Sequence, residues 1–325
     1  MTLVLRPSAS LAARLRVLAC GLLLAGALPA TAADVGAALR VVVSFSILAD
    51  IVREVGGPSV DVQSLVGPDA DAHGFEPRPA DARRLAHADI VVVNGLGFEG
   101  WMERLIAASG YRGPVVMATR GIAARSIGRP HIGSPAHAHA RGIVEAPDPH
   151  AWQDPRLALT YVANVRDALI AARPAQAERF RERAAAYGAK LRALDAAVRA
   201  SFETIPREQR RALTSHDAFG YFGAAYGIDL LAVQGISTAS EPSAAAVARL
   251  VDQVREQRLR AIFVENISDP RLVERIARES GAAVGGRLYS DALTAPGTEA
   301  DTYLKLIAHN ARLIATALSG DAPRP

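Results

Sequence analysis

Four residues of the sequence have side chains of the types that bind transition metals: His73, His150, His216 and Asp291. They also occupy comparable positions in the predicted fold. Each of them follows a segment with the pattern of a β-strand. In an open parallel sheet, ligands bind beyond the carboxyl ends of the strands, so these side chains are expected to meet. Three neutral imidazoles and one carboxylate suit a tetrahedral zinc ion with bonds of about 2.0–2.2 Å. Their spacing is too long for a local metal motif, so this prediction depends on the fold.

The segment DPHAWQDP, residues 148–155, places two Asp-Pro pairs around His150. Proline fixes its own φ angle and moves the preceding residue out of the helical region. The segment is therefore predicted to be a stiff turn that presents His150 in one direction. For any one histidine, an ordinary polar loop residue is the alternative interpretation.

Short β-branched runs alternate with helical patterns in two parts of the chain, which predicts parallel sheets. In the first part, strands are predicted at 40–46, 60–66, 89–94 and 114–119, and helices at 47–56, 79–88 and 98–109. In the second part, strands are predicted at 211–215, 228–233, 259–265 and 282–289, and helices at 218–227, 243–257, 269–281 and about 301–318.

A long helical region separates the two parts. Residues 155–173 have helical periodicity that Pro174 ends, and residues 175–204 repeat apolar positions three and four apart with Arg and Glu between them. We predict an α/β fold of two lobes, each with a four-stranded, mainly parallel sheet flanked by helices, joined by one long rigid helix. The predicted parts are a cleaved signal peptide at 1–32, an N-terminal lobe at 33–173, a linking helix at 174–205 and a C-terminal lobe at 206–325.

The N-terminal segment has the pattern of a secretory signal peptide. Arg6, Arg14 and Arg16 precede an apolar run that ends in small residues, and we expect cleavage near Ala32. The only cysteine, Cys20, lies near the start of this run, whereas a lipidated cysteine would lie at its end. We therefore expect a secreted, periplasmic protein without a lipid anchor, whose metal ligands are histidines and carboxylates.

The charge of the chain does not favour nucleic acid as a partner. The formal charge is +4, and residues 1–32 contain three arginines and no acidic residue, so about +1 remains after cleavage. The mature length is enough for two lobes of medium size. We expect this protein to be a monomer.

The segment NGLGFEG, residues 94–100, matches the pattern G-x-G-x-x-G between a strand and a helix. A dinucleotide-binding fingerprint follows the first strand of a βαβ unit and has an acidic residue about 20 residues later. Here the segment follows the third strand, and Thr119 and Arg120 occupy the later position. A tight turn between strand and helix is the preferred interpretation.

The remaining histidines form two groups. His87 and His309 lie within helical patterns and are interpreted as structural or exposed. His131, His137 and His139 lie in a segment rich in glycine, proline and alanine, which is predicted to be flexible. These three are interpreted either as an accessory site that captures zinc, directly or from a delivery protein, or as incidental residues of a solvent loop.

Several segments resemble those of the periplasmic metal-binding proteins of zinc and manganese ABC importers, the cluster A-I solute-binding proteins. The resemblance covers nearly the whole mature chain, in the segments VVVSFSILADIVREVGG, DAHGFEPRPADARRLAHADIVVVNGLGFEGWM, DPHAWQDP, HDAFGYFGAAYG and GGRLYSDAL. It implies a two-lobe fold with a linking helix and delivery of metal to a membrane permease. It also implies the metal ligands His73, His150, His216 and Asp291.

Within this family, the chain resembles most the zinc subgroup with three histidines, one aspartate and a short loop before the second ligand. Zinc importers often have a long His- and acid-rich loop there, whereas the loop of this chain is short. Manganese-binding members tend to have a carboxylate at the third position, where this chain has His216. Imidazole suits Zn²⁺, whereas Mn²⁺ prefers oxygen, so Zn²⁺ is expected and Mn²⁺ is the alternative. The adjacent Asp217 is expected to point away from the metal.

An enzyme is the alternative class of protein. Catalytic zinc usually has three protein ligands, an open position for water and a nearby Glu base. The sequence has no H-E-x-x-H, and Glu76, three residues after His73, is interpreted as a hydrogen-bonding partner near the ligands rather than as the base of a secreted zinc hydrolase. No feature of the sequence singles out a third class, an adhesin that acts in cell adhesion.

Overall fold

The structure is a computed structural model, and it describes residues 37–126, 146–235, 243–257, 259 and 261–320. It contains two four-stranded sheets, both of which belong to one compact unit that begins at Ala38. The strands within each sheet pair in parallel, which confirms the predicted α/β class.

The first sheet has the strand order β2-β1-β3-β4. Its strands are β1 (Leu39–Val43), β2 (Val60–Ser64), β3 (Ile90–Val93) and β4 (Val115–Met117), and its helices are α1 (Ser46–Gly56), α2 (Pro79–Ala86) and α3 (Met102–Ser109). All four residues of β3 are buried. A central strand covered on both faces needs apolar residues on both faces, which explains its unbroken run of β-branched residues.

Helix α3 begins at Met102, four residues later than the start predicted from its sequence pattern. The backbone of Gly95, Leu96 and Gly97 has positive φ angles, which a right-handed helix does not allow. The carboxylate of Glu99 also accepts hydrogen bonds from the N–H groups of Asn94 and Gly95. These bonds close a tight turn before the helix.

The second sheet repeats the arrangement of the first, with the order β6-β5-β7-β8. Its strands are β5 (Arg211–Thr214), β6 (Asp229–Ala232), β7 (Ala261–Glu265) and β8 (Ala283–Leu288). Its helices are α6 (Gly220–Tyr226), α7 (Ala244–Glu256), α8 (Arg271–Ser280) and α9 (Tyr303–Ser319). In both sheets the strand that comes first in the sequence lies at the centre, so loops from both of its neighbours meet at its carboxyl end.

Two long helices lie between the sheets in the sequence: α4 (Pro155–Ala172) and α5 (Ala177–Glu203). Helix α5 has 27 residues and therefore spans about 40 Å. It packs along α4 and also against α1 and α9, so it is part of the helical layer rather than an isolated strut. None of the helices in the described part of the chain has both the length and the hydropathy of a membrane span.

The main hydrophobic core continues from the first sheet to the second. It includes Val43 and Ile47 of the first half, Phe180 of α5, and Phe222 and Leu306 of the second half. A smaller cluster lies under α7 and α8, on the other face of the second sheet. The two halves therefore share buried apolar surface.

Helix α9 also joins the two halves through polar contacts. The backbone N–H of Tyr303, the first residue of α9, donates to Asp50 of α1 at 2.9 Å, and the Tyr303 hydroxyl donates to the carbonyl of Trp152. Burial raises the pKa of Asp50 to about 6, and the nearby Glu54 adds to this rise, although the hydrogen bond from Tyr303 opposes it.

This raised pKa predicts how Asp50 affects stability with pH. Because the folded-state pKa of Asp50 lies above its unfolded value, ionised Asp50 lowers the free energy of unfolding as pH rises from about 4 to about 6. The variant Asp50→Asn keeps an acceptor for Tyr303 but cannot ionise. We compare the free energy of unfolding of the variant with that of the wild type. We expect the variant to gain about 3 kcal/mol relative to the wild type between about pH 4 and about pH 8. Urea unfolding of the metal-free protein at both pH values measures this difference, and equal differences would contradict the prediction.

Candidate metal centre

The four residues predicted as metal ligands meet at the carboxyl ends of the strands. One ligand atom from each of His73, His150, His216 and Asp291 lies within 4.8 Å of the others. His73 Nε2 is 3.3 Å from His150 Nε2 and 3.2 Å from Asp291 Oδ2. His216 Nε2 is 3.1 Å from the same Oδ2, and His150 Nε2 is 3.8 Å from Asp291 Oδ1.

These distances fit one small ion. Tetrahedral ligands with bonds of about 2.0–2.1 Å lie about 3.4 Å from one another. The side chain of His73 is 6% exposed, and the other three are fully buried, so His73 lies nearest to the solvent. Asp291 Oδ1 is buried and has no hydrogen-bond partner in the part of the chain that the structure describes. A cation bound between the four side chains would supply the missing partner.

His150 begins a short 3₁₀ helix, Ala151–Gln153, which leads into α4. Asp148 Oδ1 accepts from the His150 backbone N–H at 3.0 Å and lies 2.8 Å from His150 Nδ1. A carboxylate at this position holds the proton on Nδ1, which leaves the Nε2 lone pair to face the other ligands. The carbonyl of Pro149 accepts from the Asn94 side chain at 2.9 Å. This bond fixes the turn against the first sheet.

His216 follows β5 and contacts a carboxylate on each side of its ring. Its backbone N–H donates to Glu265 Oε1 at 2.9 Å, and Glu265 Oε2 lies 2.6 Å from its Nδ1. Asp291 contacts its Nε2. Glu265 is the last residue of β7 and is 2% exposed. Glu265 therefore lies beside His216 Nδ1 as Asp148 lies beside His150 Nδ1, although the Glu265 contact does not have hydrogen-bond geometry.

His73 lies in the loop after β2, where its backbone N–H donates to Asp71 at 2.8 Å. Its ring packs edge-on against Phe98, with ring centroids 4.8 Å apart. Phe98 belongs to the turn at residues 94–100 and also packs against Trp152. The aromatic contacts of this turn thus orient a ligand.

Asp291 follows the second sheet in the sequence but is held by residues of the first half. The carbonyl of Ser290 accepts hydrogen bonds from Trp152 Nε1 at 2.9 Å and Gln153 Nε2 at 2.8 Å. Two residues further on, the N–H of Leu293 donates to the Ser46 hydroxyl, and the Leu293 carbonyl accepts from the N–H of Asp69. These four bonds fix the segment that carries Asp291 to the elements that carry His73 and His150.

Charge in the cluster changes the pKa values of two ligands. Burial alone would lower the pKa of His216, but the carboxylates of Glu265 and Asp291 outweigh it and raise this pKa well above the usual value. Burial alone would raise the pKa of Asp291, but His216 and His150 hold it well below its usual range. The raised pKa of His216 favours its protonated form in the metal-free cluster, so a metal ion that binds there competes with a proton.

The other predicted site residues lie elsewhere. Glu76 is exposed on its loop, and Asp148 and Glu265, not Glu76, contact the ligand histidines. His131, His137 and His139 lie outside the described residues.

Asp217, His87 and His309 lie apart from the four-residue cluster. Asp217 lines a separate cavity and does not belong to the metal cluster. His87 and His309 contact the carbonyls of Arg83 and Arg287 respectively, so both have local structural contacts.

Asp148 and Glu265 were not predicted as partners of the ligands. Asp148 has a local signal, because it lies two residues before His150 within the same rigid turn. Glu265 has a weaker signal, a carboxylate at the end of the apolar strand AIFVE. A carboxylate at the end of a buried strand is costly unless it has a partner, and His216 is that partner.

The chain belongs to the ZnuA family, described as zinc-uptake complex component A, periplasmic, whose model matches residues 41–317. The zinc-binding protein TroA of Treponema pallidum is 33% identical, over 86% of this chain and 88% of its own length. The manganese-binding lipoprotein MntA of Halalkalibacterium halodurans is 32% identical, over 87% and 90%. The iron-binding protein YfeA of Yersinia pestis is 32% identical, over 84% and 84%.

Solved structures agree with the sequence comparisons. The periplasmic zinc-binding protein TroA from Treponema pallidum matches with a TM-score of 0.77 and 31% identity, over 86% of this chain and 99% of that one. The fold, the cluster and these relatives define a class of metal-binding substrate-binding components of ABC importers, which are transport proteins and not enzymes.

The contact between Glu265 and His216 gives a prediction for metal affinity. In Glu265→Gln, the amide can donate to His216 Nδ1, which moves the imidazole proton to Nε2, the atom that faces the other ligands. We expect the affinity for Zn²⁺ to fall about 10- to 100-fold, measured by competition with a chelator. The matched control is Glu256→Gln on the exposed face of α7, which should leave the affinity unchanged. Wild-type affinity in Glu265→Gln would show that Glu265 does not set the tautomer.

Proposed function

We propose that this protein captures Zn²⁺ between His73, His150, His216 and Asp291 and delivers it to the membrane permease of an ABC importer. The observation that carries this proposal is the convergence of three imidazole nitrogens and one carboxylate, at distances that fit a tetrahedral ion, in a buried site. Four ligands of this kind fill the tetrahedral coordination of zinc. A filled coordination sphere suits a cargo site, since catalytic zinc keeps a position for water.

The donor set supports zinc rather than manganese. Three of the four donors are nitrogen atoms, and imidazole favours zinc, whereas manganese favours oxygen ligands. Affinities for divalent metals also rise from manganese to zinc at a given site. Asp217, the carboxylate next to the third ligand, faces another cavity and adds no oxygen to the cluster.

Manganese is the second candidate metal, and one observation favours it. Asp291 has a second buried oxygen, Oδ1, without a hydrogen-bond partner in the described residues, so the carboxylate can supply two oxygen ligands. Relatives of this chain named for manganese, such as MntA, accord with that candidate. Parallel titrations with Zn²⁺ and Mn²⁺ distinguish the two metals.

Capture and release require different states of the site. The ion enters past His73, the most exposed of the four ligands, and displaces the proton of His216. Because the other three ligands are fully buried, release requires the loops that carry them to separate. We assign that separation to contact with the permease.

The proposed location follows from the N-terminal segment. Residues 1–32 act as a signal peptide, and the mature protein works in the periplasm. His131, His137 and His139 form an accessory site that receives zinc from solvent or from a periplasmic delivery protein and passes it to His150. This role is secondary to that of the four-residue cluster.

Substitutions of histidine test which residues form the main site. We expect His216→Ala to weaken Zn²⁺ binding by more than about 100-fold, because loss of a ligand should exceed the loss of a residue that only orients one. His137→Ala is the matched control and should retain near-wild-type affinity. Chelator competition and elemental analysis of the purified variants measure affinity and stoichiometry. Equal losses in the two variants would place the main site outside the buried cluster.

The pH dependence of zinc binding follows from the raised pKa of His216. Because this pKa lies well above the usual value in the metal-free protein, protons compete with Zn²⁺ already at neutral pH. We expect the binding constant to fall continuously from about pH 8 to about pH 6, by about tenfold per pH unit for each proton displaced. Calorimetry in buffers of different ionisation enthalpy counts the released protons. A binding constant that is independent of pH in this range would contradict histidine ligation.

A further inference from the structure

A second cavity, separate from the metal cluster, lies along α6 between the two halves of the molecule. Its volume is about 540 Å³, which is in the range of small-molecule sites. Small residues of the α6 region, Gly220, Gly223, Ala224 and Gly227, form part of its wall. Four arginines also line it: Arg125, Arg207, Arg210 and Arg211. We call this the arginine cavity.

Contacts fix three of these four guanidinium groups. Arg210 donates to the carbonyls of Ile205 at 2.8 Å and Tyr226 at 3.3 Å. Arg211 donates to Asp229 at 3.2 Å and to Gln257 at 2.9 Å. The Arg125 guanidinium lies over the ring of Tyr221, 5.7 Å from its centroid. Fixed guanidinium groups lose little side-chain entropy when they bind a ligand.

Each guanidinium has more donors than these contacts use. A guanidinium carries five N–H groups, and the two carbonyls that bind Arg210 occupy only two of them. Arg125, Arg207 and Arg210 form no ion pair with any carboxylate among the described residues, whereas Arg211 pairs with Asp229. The arginine cavity therefore has unneutralised positive charge and unused donors.

Three carboxylates also line the arginine cavity. Asp229 pairs with Arg211, and Asp148 accepts from the backbone N–H of His150 and contacts its ring. The third carboxylate, Asp217, is the only other acidic residue that lines the described cavity wall. Four arginines and three carboxylates leave a formal excess of one positive charge.

We propose that the arginine cavity binds a small multivalent oxyanion, such as a tricarboxylate or phosphate. Planar guanidinium groups bind carboxylate and phosphate oxygens through paired hydrogen bonds, and several of them around one cavity select an anion with several oxygens. This site goes beyond the proposed transport function, because it involves a ligand other than the metal. It also adjoins the metal centre, since Asp148 lines the arginine cavity and orients His150.

A second group of arginines in the molecule differs from the arginine cavity in its ion pairs. A smaller depression of about 300 Å³ beside α2 also contains arginines, Arg40, Arg83 and Arg84. There, Arg40 pairs with Asp89 at 2.9 Å and Arg84 pairs with Asp81 at 3.3 Å. Two of these three arginines therefore have carboxylate partners, whereas among the described residues Arg211 alone of the four cavity arginines forms an ion pair. Arg83 of this depression provides a matched control, because Arg83→Gln changes the charge by the same amount as a substitution of a cavity arginine by glutamine.

The test is calorimetric titration of the mature, metal-free protein at low ionic strength. The probes are tricarballylate, a tricarboxylate, and inorganic phosphate, each against a chloride control of matched ionic strength. The variants are Arg207→Gln and Arg125→Gln in the arginine cavity, and Arg83→Gln as the control. Circular dichroism and thermal melts of each variant verify that it is folded. Because no metal is present, the result is independent of whether the protein transports zinc.

We expect saturable binding with one site per chain for at least one probe. Loss of one charge-assisted contact should weaken it about tenfold in Arg207→Gln or Arg125→Gln, with no change in Arg83→Gln. Tighter tricarballylate would indicate an organic polycarboxylate as the natural ligand, and tighter phosphate an inorganic one. Absence of saturable binding to both probes would overturn the proposal. Equal weakening in Arg83→Gln would also overturn it, since binding would then depend on overall charge.

Discussion

Burial of a carboxylate among imidazoles is the constraint on which the metal centre depends. Asp291 is removed from water, and one of its oxygens lacks a hydrogen-bond partner among the described residues. Glu265 adds a second buried carboxylate on the far side of His216. Buried ions cost several kcal/mol each unless partners compensate for the lost hydration. A proton on His216 compensates in part, and a divalent cation within reach of all four ligands compensates further. The buried carboxylates that destabilise the metal-free cluster therefore also favour the binding of a cation.

Hydrogen bonds between the two halves decide how the ligands are grouped. His73 and His150 come from the first sheet, and Asp291 follows β8 of the second, yet Trp152 and Gln153 hold the Asp291 segment to the first half. Helix α9 reinforces this attachment through its contacts with α1 and α5. His216, by contrast, is oriented by Glu265 of its own sheet. The metal centre thus combines His73 and His150 of the first half with His216 and Asp291 of the second, and hydrogen bonds from both halves hold the segment that carries Asp291.

The turn at residues 94–100 shows how a motif can serve a ligand site that it does not contact directly. The carboxylate of Glu99 accepts hydrogen bonds from the backbone N–H groups of Asn94 and Gly95. A phosphate bound at this turn would need the same N–H groups as donors. The Asn94 side chain holds the carbonyl before His150, and Phe98 packs against His73. The turn that contains the glycine pattern therefore helps to position His73 and His150. Its Asn94 and Gly95 N–H groups are not available for a dinucleotide, in accord with its interpretation as a tight turn.

The sequence by itself predicted the α/β class, the eight strands of the two sheets, and four residues, His73, His150, His216 and Asp291, whose side chains the structure brings together. Alternating periodicity, the Asp-Pro pairs and the resemblance of whole segments to a family are local signals, and they require no knowledge of distant contacts. The start of α3 was predicted wrongly, at Phe98 instead of Met102, because the bonds from the Asn94 and Gly95 N–H groups to Glu99 keep the residues before Met102 in the turn. Only the tertiary structure decided that Glu265 contacts His216 and that Trp152 binds Ser290, because these pairs are 49 and 138 residues apart. The tautomers, charges and spacing of the ligands depend on such pairs, whose contacts are set by strand register and by the face on which each side chain lies.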